Sequence, residues 1–75
     1  MTTETKYYLM QVYTKANSEE QHICHGYQTT LEAAIKDAEN AAKTYKCPFD
    51  IIKVVETHNG GLIEDLENVV VKRVG

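Results

Sequence analysis

Seventy-five residues, 43% apolar and 25% charged, make one small ordered domain over 1–75, because this apolar content offsets chain entropy and excludes disorder. The net charge of −3, from 8 basic and 11 acidic residues, comes with no basic stripe and argues against nucleic-acid recognition, which needs clustered Lys and Arg to displace counterions. No apolar run approaches the roughly 18 residues of a membrane helix, and MTTETKYYLM lacks a secretory signal, so the expected location is cytoplasmic, with Cys24 and Cys47 as reduced thiols.

Residues 6–15, KYYLMQVYTK, are rich in aromatic and β-branched side chains and read as a strand. Tyr8, Met10 and Val12 fall on one face, Tyr7, Leu9, Gln11 and Tyr13 on the other; the first set is uniformly apolar and is assigned to the core. ANSEE, 16–20, reads as a hairpin loop around Asn17, and QHICHGYQ, 21–28, as a second strand in which Gly26 marks a bulge.

A helix is predicted over 30–46. Thr29-Thr30-Leu31-Glu32 fits a capping box, in which the threonine hydroxyl takes the N3 amide and the glutamate reaches back. Leu31, Ala34, Ile35, Ala38, Ala42 and Tyr45 recur at three- and four-residue steps and form an apolar stripe rich in alanine. Lys43 and Lys46 suit the negative helix end, and Pro48 forbids continuation. FDIIKVVET, 49–57, is a third strand, with Phe49, Ile51 and Val55 on one side and Ile52 and Val54 on the other. Asn59-Gly60 signals a tight hairpin, followed by a long final strand through GLIEDLENVVVKRVG, with a bulge expected near Glu67.

The order ββαββ predicts an α+β two-layer sandwich, one helix on a four-stranded, mainly antiparallel sheet. One helix cannot cover both sheet faces. The opposite face is expected to carry Tyr7, Leu9, Tyr13, Ile52 and Val54, and monomers rarely leave such a patch in water. A core of this size rarely supplies more than about 3–5 kcal/mol, so a second chain is a natural addition.

HICHG, 22–26, concentrates two of three histidines and one of two cysteines. On a strand His22 and Cys24 point one way, Ile23 and His25 the other, so these residues cannot converge on one ion. A metal or redox site would need His22 and Cys24 joined by Cys47 or His58, without the paired knuckle spacing of structural zinc. No nucleophilic constellation, phosphate loop or calcium-loop spacing appears, and Glu64, Asp65 and Glu67 read as a solvated loop. No cofactor, metal or catalytic residue is assigned.

The sequence therefore points to a small non-enzymatic protein-interaction or regulatory module, an inhibitor or accessory of a larger partner, self-associating as a homodimer through the helix-free face or a strand edge. Tyr7, Tyr13, Tyr27, Ile52 and Val54 are the expected contact residues, since tyrosine combines an apolar body with a polar tip. The alternatives are a nucleic-acid-binding module stacking bases on sheet tyrosines and a metal or redox site at His22, Cys24 and Cys47.

Overall fold

The computed structural model describes Met1 to Gly75. Four strands, β1 (Thr2–Thr14), β2 (Glu20–Gln28), β3 (Phe49–Asn59) and β4 (Leu62–Val74), flank one helix, α1 (Leu31–Tyr45). The sheet is open and antiparallel throughout, in the order β2-β1-β3-β4. The expected ββαββ architecture is the observed one. β1 and β3 are central, which suits their density of aromatic and β-branched residues; β2 and β4 are the edges.

The helix begins one residue later than the capping box implied. Thr30, in extended backbone, is the cap, and its hydroxyl accepts from the Ala33 amide at 3.3 Å. Position N3 is therefore Ala33, so Glu32 contributes charge to the first turn instead of closing a box. At the other end Lys46 adopts the left-handed conformation (φ 55°), and Pro48 enforces the exit.

The final hairpin is also displaced by one. Asn59 pairs with Leu62, and Gly60 and Gly61 form the two-residue loop with φ 60° and 89°, the positive values that a type I′ turn needs. The long final strand is present, but its irregularities fall at Glu64 and Val71, not near Glu67: the register jumps between Thr57 and His58 and between Ile51 and Ile52. On β2 the predicted bulge exists. Leu9 faces both His25 and Gly26, and Gly26 holds φ 113°.

The core is small. Eight of 75 residues are buried, and Leu9, Ala34, Ala38, Ala42, Phe49 and Ile51 form its central cluster, with Tyr7, Ile35, Ala41, Cys47 and Val74 packed around it. The alanines let helix and sheet approach closely. Tyr45, expected in the core by helical phase, is 52% exposed and touches it edgewise through the His25 and Phe49 rings.

The face of β1 that meets the helix is the reverse of the expected one. Leu9 is buried and Tyr7 packs on the core, whereas Tyr8 and Met10 lie on the open side. The cause is β3. Phe49 and Ile51 are the largest fully buried side chains, and they pair with Gln11 and Leu9. Directly opposed residues share a face, so β3 draws the odd-numbered residues of β1 beneath the helix. Val12 stays buried at 4% exposure on the open side, opposite His22.

Replacing Thr30 by alanine is expected to lower stability by about 1 kcal/mol, with Thr29→Ala near neutral; urea melts of the two variants check which threonine caps the helix.

Candidate interaction surface

The helix-free face is built from four aligned rows. β2 supplies His22, Cys24 and Tyr27; β1 supplies Glu4, Lys6, Tyr8, Met10 and Val12. β3 supplies Asp50, Ile52, Val54, Glu56 and His58, and β4 supplies Leu66, Asn68, Val70 and Arg73. The centre is apolar. Tyr8 and Tyr27 sit with ring centroids 5.3 Å apart, and Tyr8, Met10, Cys24, Ile52, Val54 and Asn68 line an open depression. Tyr27, Val70 and Leu66 are 47%, 52% and 53% exposed.

Each end of this apolar strip carries charge. At one end Asp50 is 2% exposed and fully engaged. The Arg73 guanidinium donates through Nε at 2.6 Å and Nη2 at 3.0 Å, and His22 Nε2 lies 3.0 Å from the second carboxylate oxygen. Arg73 also reaches Glu20 at 3.3 Å. The two-pronged bond to Arg73 holds the Asp50 carboxyl below its usual range; burial opposes this, and His22 adds to the lowering. The same bond raises the Arg73 pKa above its ordinary value.

At the other end His58 Nε2 stands 3.0 Å from Glu56 and 3.9 Å from Glu4, while Lys6 Nζ is 3.8 Å from Glu4 and 4.9 Å from the centre of the Tyr27 ring. Glu4, Glu56 and His58 are the one group of three metal-ligating side chains whose donor atoms converge. They lie at the rim, already neutralised in part by Lys6.

Ile52 and Val54 occupy the open face, as the sequence suggested, and Tyr27 joins them there through the Gly26 bulge. Tyr7 and Tyr13 do not: Tyr7 packs against the core, and Tyr13, opposite Gln21, belongs to the helix side. Only Tyr8 and Tyr27 share the open face, so a row of stacking tyrosines is not assembled.

HICHG divides as strand parity requires. His22 and Cys24 face the open side; His25 faces the helix, bonded to Gln11 at 2.6 Å and stacked near Tyr45 and Phe49. Cys47 packs against the helix-side core, on the opposite face from His22 and Cys24. These three side chains do not meet.

Sequence reading missed the Asp50–Arg73–His22 network. The available signal was an aspartate between Phe49 and Ile51, charged where both neighbours are apolar. Its partner could not be read, because the pairing depends on the Val71 bulge. Compared with protein-family models, curated proteins and solved structures, the chain matches none. No helix is long and apolar enough to cross a membrane.

Because the folded Asp50 carboxyl titrates below its unfolded value, the network stabilises fully above the unfolded value of about pH 4 and is lost as pH falls through the folded one. Asp50→Asn is therefore expected to cost about 1–3 kcal/mol at neutral pH, with the difference from the parent shrinking as the solution is acidified below about pH 4. Urea unfolding across that range measures it; a constant difference contradicts the assignment.

Proposed function

We propose that the chain is a non-enzymatic protein-interaction module that self-associates, and that its helix-free sheet face serves as a contact surface in the resulting assembly. The observation that carries this reading is the apolar strip of Tyr8, Met10, Tyr27, Ile52, Val54, Val70 and Leu66, which no element of the chain covers. The charged clusters at its two ends give the strip a polar rim, the usual anatomy of a protein contact. The small core supports the same conclusion, since a second chain adds buried apolar area that 75 residues do not supply alone.

Base recognition is less well supported. Lys6 is the one cation placed against a sheet tyrosine, and the net charge of −3 opposes binding to phosphates. Metal or redox chemistry at His22, Cys24 and Cys47 lacks a shared face.

Val54 is only partly buried at the middle of the strip. Val54→Lys is expected to leave the circular-dichroism spectrum unchanged while lowering the average mass in sedimentation equilibrium at high protein concentration. Identical mass distributions for parent and variant would remove this face from the assembly.

A further inference from the structure

We propose that β4 is a homotypic edge: two copies of the chain pair β4 against β4 in antiparallel fashion, extending the four-stranded sheet into one continuous sheet of twice that number. The inference rests on the self-association reading above and names its first contact. A two-fold axis normal to the sheet places both helices on one side and both open faces on the other, so pairing joins the two apolar strips into one surface.

Three observations carry it. The first is the edge itself. β4 spans 13 residues and ends an open sheet, and 12 of its residues are exposed. Its outer amides and carbonyls present a pairing template. Val69, Val70 and Val71, at 57%, 52% and 40% exposure, lie in its second half. The opposite edge, β2, has nine residues and is interrupted by the Gly26 bulge. On β4 the register runs unbroken from Asp65 to Val70 between the two irregularities.

The second is the order of charge along the strand. Glu64, Asp65 and Glu67 occupy the first half, Lys72 and Arg73 the second. Parallel in-register pairing would set like charges side by side. Antiparallel pairing sets the acidic half of one copy against the basic half of the other, which is favourable for opposed cross-strand residues. These charges select one mode of pairing; an edge guarded against association would oppose all of them.

The third is the face on which those charges stand. Asp65 pairs with Thr57, Glu67 with Val55 and, beyond the bulge, Lys72 with Ile51. All three β3 partners lie on the helix side. The Val71 bulge therefore returns Lys72 to the side occupied by Asp65 and Glu67. With the two-fold axis at Val69 and Val71 left unpaired by the bulge, Lys72 of one copy falls opposite Glu67 of the other, on the helix side of both and diagonal to Asp65. Within the chain none of the three takes part in a salt bridge. Arg73 is already engaged by Asp50 and Glu20, which leaves Lys72 as the free complement.

The test is a charge swap on the full chain, read by sedimentation equilibrium with circular dichroism as the fold control. The parent is expected to dimerise. Asp65→Lys with Glu67→Lys in one chain, and Lys72→Glu in another, should each weaken the dimer by roughly tenfold or more. Mixing the two should restore it, because each altered half then meets its opposite. A dimer indifferent to both variants, or a mixture no tighter than its components, overturns the edge assignment. If Val54→Lys breaks that same dimer, the interaction reading survives without the edge. A parent that stays monomeric at the highest soluble concentration overturns both.

Discussion

Helix reach limits this molecule. Fifteen helical residues extend roughly 22 Å at 1.5 Å per residue, while the molecule is 42 Å long, the span of a 13-residue strand at about 3.3 Å per residue. The helix can shield only about half of one sheet face. Burial is correspondingly concentrated where β3 begins, at Phe49, Asp50 and Ile51. Farther along β3 and β4, backbone pairing continues without a layer above it, and Leu62, Ile63 and Leu66 are more than half exposed. That part of the molecule is therefore held by its antiparallel strand pairing, which continues as far as Thr2 with His58 and Asn59 with Leu62.

The buried carboxylate follows from that concentration. Strand parity sends Phe49 and Ile51 beneath the helix and Asp50 the other way, close to the start of the strand. A carboxylate removed from water must be fully paired or it is strongly unfavourable. Here the fork of Arg73 matches both oxygens, and His22 completes the set. The network links β2, β3 and β4, so it ties both edges to the central strands on the face the helix leaves bare.

Local chemistry in the sequence was legible where a residue acts within its own segment. The alanine stripe and Pro48 give the helix, Gly26 gives a bulge, and glycines after Asn59 give a tight turn. Each boundary moved by about one residue because adjacent residues of the same type compete: Thr29 with Thr30 for the cap, Asn59-Gly60 with Gly60-Gly61 for the turn. What could not be read was any choice made between segments. Both faces of β1 are apolar enough to serve as core, and Phe49 and Ile51 decide between them only once the β1–β3 register exists. That decision moved Tyr7 from the expected contact surface and put Tyr8 and Met10 on it; Ile52 and Val54 stand on the open face by parity with Phe49 and Ile51, and Tyr27 reaches it only through the Gly26 bulge.

The bulge at Val71 behaves as a frameshift written in side chains. Without the bulge, regular pairing of the same residues beyond Val70 would set Val71 opposite Ile51, Lys72 opposite Asp50 and Arg73 opposite Phe49. A monodentate ammonium would replace the guanidinium fork, and the arginine would be turned toward the apolar layer that Val74 now helps to line. Deleting Val71 alone would leave Lys72 opposite Ile51 and Arg73 opposite Asp50 in a regular ladder, so the C-terminal segment keeps its inside and outside. Tolerance to length change in this strand is therefore set by position: within the regular run from Asp65 to Val70 the loss of one residue turns its neighbours to the other side, whereas at Val71 it removes only the residue that has no partner.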